Sequence, residues 1–208
     1  LTLALENDTW QLDSSGGTIA SLLTADQNAQ MGFIMSGAAS GVTVVNIENI
    51  TSLNSGALDT IYGSAADNIM TGKGYLEGFA GADHLIGLGS GSDNWAGYEH
   101  AGHSNLAGVT TGEGVSVTVC LMIDTPDTEV YHFTHGSDVY TTGDAQYDYY
   151  TNVDNLVGSA FADHLIGNAN DNYIFGDGGN DTLEGLGGSD YLDGGDGNDW
   201  VSYEHAES

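Results

Sequence analysis

From Gly158 the chain reads GSAFADHLI, GNANDNYIF, GDGGNDTLE, GLGGSDYLD and GGDGNDWVS, five consecutive nonapeptides ending at Ser202. Glycine opens each at 158, 167, 176, 185 and 194. The sixth place holds Asp163, Asn172, Asp181, Asp190 and Asp199, and the eighth holds Leu165, Ile174, Leu183, Leu192 and Val201. A fixed period held over this many units is the signature of a solenoid, in which no single unit can bury its apolar side chain alone. Nine residues divide into a six-residue turn and a three-residue strand. Glycines at the first and fourth places suit the turn, and the eighth side chain points inward between two outward neighbours. Two nonapeptides make one coil with strands on opposite sides, so equivalent residues recur every 18 positions at the roughly 4.8 Å spacing of paired strands.

The same grammar recurs in degenerate form. NSGALDTIY (54–62), GSAADNIMT (63–71) and GFAGADHLI (78–86) keep the Asp/Asn and aliphatic places, whereas GKGYLE (72–77) has lost three residues, including its Asp. A longer repeat encloses both arrays: NIENI (46–50) answers NVDNL (152–156), and NWAGYEHA (94–101) answers DWVSYEHA (199–206), an offset near 105 residues. LTLAL at the start answers VTVCL (117–121), so the sequence reads as a window of about two modules cut from a longer tandem chain. The organisation expected is a β-rich partial module over 1–53, a degenerate roll over 54–101, a β-rich inter-array segment over 102–157 and a second roll over 158–206. Val115, Val117, Val119 and Leu121 alternate with Ser116, Thr118, Cys120 and Met122, the pattern of a half-buried strand. Residues 16–35 are the one place that suits a short helix.

Composition points to a metal. Thirty Asp and Glu face a single Lys or Arg, a formal charge of −29. Such a chain repels nucleic acid and anionic membrane surfaces. No apolar run approaches a membrane span, and the start lacks the basic region of a signal peptide. At 40% hydrophobic residues the chain is nonetheless built to fold, and with Cys120 as the only cysteine no internal disulfide holds it. Stacking brings Asp163, Asp181 and Asp199 into one column and Asn172 and Asp190 into the other, where like charges repel unless a cation lies between them. Calcium fits: it accepts six to eight oxygen ligands in flexible geometry, carbonyls of glycine-rich turns among them, whereas zinc prefers His and Cys.

These units resemble the GGxGxDxUx nonapeptides of the RTX, or hemolysin-type, calcium-binding repeat family. The resemblance implies an all-β fold of parallel β-roll blocks joined by β-rich segments, several calcium ions between adjacent turns, and type I secretion of an unfolded chain. Carried over by residue, it implies ligands at Asp163, Asp181, Asp190 and Asp199, with carbonyls from Gly178, Gly179, Gly187, Gly188 and Gly197. Asn172 occupies an Asp place, and the first two units lack Gly at the fourth, so the first coil of the second array is expected to bind calcium weakly or not at all. In the first array only Asp83 and Asp59 are expected to contribute.

Other constellations carry less. HAGH (100–103) and HFTH (132–135) have zinc-like spacing without a third motif. Glu99 and His100 in YEHA read as a cap or module joint, since the motif closes both arrays. His84 and His164, at the outward seventh place, read as solvated surface, and Cys120 as an inert buried thiol. No catalytic constellation stands apart from the calcium grammar. The function expected is non-catalytic: a calcium-folded repeat segment of a large secreted or cell-surface protein acting as stalk, adhesin, surface-layer or filament element, with self-association or a surface glycan as possible partners. The alternatives are a calcium-binding accessory domain of a type I-secreted enzyme, and a calcium-dependent carbohydrate-binding module using Tyr98, Trp200 and Tyr203.

Overall fold

A computed structural model describes residues 9–12, 19–22, 48–53, 57–101, 118–121 and 148–205. Every strand pairing among them is parallel, as a solenoid requires. The strands are β1 (Thr9–Leu12), β2 (Ile19–Ser21), β3 (Asn49–Ser52), β4 (Asp59–Tyr62), β5 (Ile69–Gly72), β6 (Gly74–Glu77), β7 (His84–Gly87), β8 (Trp95–Gly97), β9 (Thr118–Cys120), β10 (Tyr149–Thr151), β11 (Asn155–Val157), β12 (His164–Ile166), β13 (Tyr173–Phe175), β14 (Gly178–Gly179), β15 (Thr182–Glu184), β16 (Tyr191–Asp193), β17 (Asp196–Gly197) and β18 (Trp200–Val201).

One face of the solenoid is a seven-stranded sheet in the order β2-β4-β6-β8-β11-β13-β16, running without interruption from the first array into the second. The other face is split into β1-β3-β5-β7-β10 and β9-β12-β15-β18. The split has a cause in the chain path: β9, from the inter-array segment, pairs with β12 at Val119↔Leu165 and takes the place beside β12 that β10 would otherwise hold. Val119 and Leu121 are buried, in line with the alternating pattern. Residues 16–35 are not the helix expected in so far as they are described: Ile19–Ser21 is a strand paired with β4, and its Ala20 and Ser21 are fully buried. The remainder of that stretch lies outside the described residues, as do Val115 and Val117; the Cys120 side chain is likewise not described.

The core is the line of eighth-place side chains. Ile61, Met70, Leu85, Leu165, Ile174 and Leu183 are fully or almost fully buried in one cluster that receives residues from both faces. Leu192 is only partly buried and Val201 is exposed: among the described residues, β16 and β18 are edge strands with a neighbour on one side. The shortened unit is accommodated within the turn: Lys73 alone joins β5 to β6, where β4 and β5 are joined by six residues, 63–68. The Lys73 ammonium lies 3.0 Å from Asp93. The cation thus stands beside a turn that lacks its own carboxylate.

The ninth place is not uniformly outward. Glu77, Ile166 and Glu184 are buried. At both glutamates the cause is YEHA: His100 donates its backbone N–H to Glu77 Oε1 and pairs Nδ1 with Oε2, each at 2.8 Å. His205 repeats this on Glu184 at 2.7 and 2.8 Å. The motif therefore folds back over the preceding strand of its sheet as a joint, as expected from its position at the end of each array. Burial disfavours the His100 imidazolium, but the hydrogen bond and charge of Glu77 outweigh it and raise the pKa. Because the folded value lies above the unfolded one of about 6.5, the stabilisation is full below that pH and is lost as pH rises through the raised value. Urea titrations should show this dependence, and His100→Gln should abolish it.

Candidate metal centre

The six-residue turns stack into two columns at the two edges of the roll. Along one edge the sixth-place residues follow Asn68, Asp83, then Asp163, Asp181 and Asp199. Each backbone N–H donates to the carboxylate of the next coil: Asn68 to Asp83 Oδ1 at 2.8 Å, Asp163 to Asp181 Oδ1 at 2.8 Å and Asp181 to Asp199 Oδ1 at 3.0 Å. On the opposite edge Asn172 donates to Asp190 Oδ1 at 3.0 Å. The structure therefore brings Asp163, Asp181 and Asp199 together, and Asn172 with Asp190, as the 18-residue spacing requires. It does not bring Asp59 to Asp83: Asp59 opens β4 on the other edge, where Ser52 Oγ donates to it at 2.5 Å.

Two column members escape the nonapeptide pattern. Asp83 donates its N–H to Asp148 Oδ1 at 2.8 Å, and Asp148 Oδ2 accepts from Tyr98 Oη at 2.8 Å. Asp154 accepts from Asn168 Nδ2 at 3.0 Å and Asn170 Nδ2 at 2.9 Å, while its carbonyl accepts from Asn172 Nδ2 at 2.7 Å. Both aspartates are buried and serve as hydrogen-bonded joints between coils. Tyr98 also bonds Tyr150, and it is only 1% exposed, which removes it from the aromatic residues available to a carbohydrate; Trp200 and Tyr203 are exposed. The Tyr98 hydroxyl is held well above its ordinary pKa by burial and by the charge of Asp148.

The histidines also depart from expectation. His84 is half-buried, stacks on Tyr149 and bonds Thr151 Oγ1 through Nε2 at 2.9 Å. His164 is also half-buried, and burial lowers its pKa. Neither is simple solvated surface. Among the described residues no three His, Cys, Asp or Glu side chains converge, so an ion at the turns would draw on backbone carbonyls as well as carboxylates. His103, His132 and His135 lie outside the described residues.

Asp181 fits such an ion best. It is completely buried, and its Oδ2 is a buried oxygen without a hydrogen bond. Burial, then the charges of Asp199 and Asp177, push its pKa up against the N–H of Asp163. The turns around it are built from backbone: β14 (Gly178–Gly179) pairs with β17 (Asp196–Gly197), and Gly179, Gly188 and Gly197 have φ of 132°, 99° and 149°. A Cβ at Gly187 would meet Ala169 of the coil before at ordinary contact distances of 3.5 Å and more. With no side chain at Gly179, Gly188 and Gly197, neighbouring turns approach closely enough for carbonyls to share one hard cation with a carboxylate.

A parallel β-solenoid with stacked carboxylates in glycine-rich turns defines a class of metal-binding repeat. The RTX calcium-binding nonapeptide repeat model matches this chain in four copies, over residues 57–74, 150–183 and 175–203. Over those residues the chain carries RTX calcium-binding nonapeptide repeats. No curated protein matches it.

Proposed function

We propose that this chain is a calcium-folded repeat segment of a large secreted or cell-surface protein, and that its role is structural or adhesive rather than catalytic. The observation that carries this reading is the seven-stranded sheet shared by both arrays, which makes two modules one continuous solenoid. Such a sheet lengthens by adding modules, the property a stalk or filament element needs. Calcium, when bound, would supply the positive charge that the stacked aspartates lack. Asp181, Asp190 and Asp199, with the carbonyls of Gly178, Gly179, Gly187, Gly188 and Gly197, are the residues that would hold it, and Asp83 is the candidate in the first array. A site that binds only the folded chain stabilises it by about 2.7 kcal/mol at 100 times its dissociation constant. The roll would therefore form where calcium is abundant, which suits the exterior of a cell.

Antibodies raised against residues 148–205 test the location and role together. Labelling of intact cells that persists in calcium and falls after chelation is the expected result. Labelling only after lysis overturns the surface assignment, and calcium-dependent turnover of peptide, ester or glycan substrates by the purified chain overturns the non-catalytic one.

A further inference from the structure

The six-residue turns fall into two geometrical classes, separated by their second residue. In 63–68, 158–163 and 167–172 that residue is Ser64, Ser159 or Asn168, and the turn closes on itself. Its N–H donates to the sixth-place side chain: Ser64 to Asn68 Oδ1 at 2.6 Å, Ser159 to Asp163 Oδ2 at 2.5 Å and Asn168 to Asn172 Oδ1 at 2.9 Å. Its side-chain oxygen accepts the fourth-place N–H: Ala66 at 3.3 Å, Phe161 at 3.2 Å and Asn170 at 2.9 Å. These are Asx- and Ser-type turns, which satisfy their own polar groups. Where the sixth residue is asparagine, its Nδ2 also reaches the preceding coil, from Asn68 to the Glu48 carbonyl and from Asn172 to the Asp154 carbonyl, each at 2.7 Å. A side-chain amide there gives a carbonyl the electropositive partner that a metal ion would give elsewhere.

In 78–83, 176–181, 185–190 and 194–199 the second residue is left-handed instead: Phe79 at φ 67°, Asp177 at 70°, Leu186 at 70° and Gly195 at 81°. The fourth is Gly81, Gly179, Gly188 or Gly197, also at positive φ. Three of these four second residues carry a side chain, in a conformation that costs about 1–2 kcal/mol outside glycine; the conformation is therefore imposed by the turn. In the turn of Asp181 the sixth-place oxygen is left without a hydrogen bond. Among the described residues, only the pair 176–181 and 194–199 places two turns of this class next to each other on one edge, joined through β14 and β17.

We propose that the second residue of each turn decides whether the turn takes calcium: Ser64, Ser159 and Asn168 close theirs without an ion, whereas the left-handed class is open to one, with the complete site lying between turns 176–181 and 194–199. This rests on the reading of the chain as calcium-folded. It makes the solenoid a composite, with coils closed by their own side chains adjoining coils that calcium must close.

The test uses the whole chain, with bound calcium counted by equilibrium dialysis and amide exchange followed in calcium and in chelator. In the unaltered chain, strand amides of Met70, Leu76 and Leu156 should keep their protection in chelator, while those of Leu183 and Leu192 should lose about tenfold or more. Asp177→Ser should reduce the calcium count and restore protection at Leu183 in chelator. The reverse change, Ser159→Gly with Phe161→Gly, should raise the count and render Leu165 sensitive to chelator. Uniform loss of protection along the unaltered chain, or calcium counts unmoved by both variants, overturns the two-class assignment while leaving calcium-dependent folding intact. An unaltered chain that binds no calcium instead overturns the reading on which it rests.

Discussion

Gly179→Ala is expected to unstack the second array. At φ 132° the position is left-handed, and a Cβ there would sit 2.6 Å from the Phe161 carbonyl oxygen and 2.7 Å from the Ala162 nitrogen, both backbone atoms of the coil before. Backbone cannot swing aside as a side chain tip does. The cost combines about 1–3 kcal/mol of conformational strain with about 1–3 kcal/mol of overpacking, and it falls on the turn that pairs with 196–197. Chemical denaturation in calcium measures it. A variant whose midpoint matches the parent would show that the turns do not stack as described. Gly178→Ala is the control, since a Cβ at Gly178 meets Ala160 at ordinary contact distances of 3.7 Å and more.

The second large effect is in the core. Leu165→Ala removes a fully buried side chain from the strand that carries both β9 and β15 as neighbours. A loss of about 2–5 kcal/mol is expected, which lowers the melting temperature by about 2–4 °C for each kcal/mol in a chain of this size. Leu192→Ala, at the same place in the period but only partly buried, should cost clearly less. Equal losses at the two positions would contradict a core that thins toward the last coil.

Both predictions rest on features that the nonapeptide period makes legible. Glycine, aspartate and an aliphatic residue at fixed places are what a turn, a cation-bearing edge and a one-residue-deep core demand, so the parallel roll, the buried line Leu165, Ile174 and Leu183, and the column Asp163, Asp181 and Asp199 all follow from spacing. What spacing cannot reach is contact made across an aperiodic stretch. Asp148 joins the column of Asp83 from 65 residues away, beyond a segment with no period, and β9 enters a sheet whose other members are nonapeptide strands. Burial of Glu77 and Glu184 at a nominally outward place has the same origin, because YEHA returns over each from beyond the array's last strand. A signal for it was present: a motif repeated at both array ends, with a glutamate 23 residues upstream of His100 and 21 upstream of His205. The two turn classes were half visible, as Gly or non-Gly at the fourth place; the role of Ser159 at the second emerges only from its hydrogen bonds to Asp163.

Asp181 concentrates the electrostatic problem, a buried carboxylate in a chain of charge −29. Burial raises its pKa, so its proton-linked stabilisation is present at low pH and lost as pH rises through the raised value. The metal-free chain should accordingly gain strand content on acidification toward the usual carboxylate range, and calcium should make that gain disappear.

Circular dichroism of the whole chain, titrated with calcium after exhaustive chelation at neutral pH, tests calcium-coupled folding most directly. A cooperative rise in β-structure that Asp181→Asn displaces to higher calcium is the result predicted. Full β-content in chelator, unchanged by calcium, would contradict it.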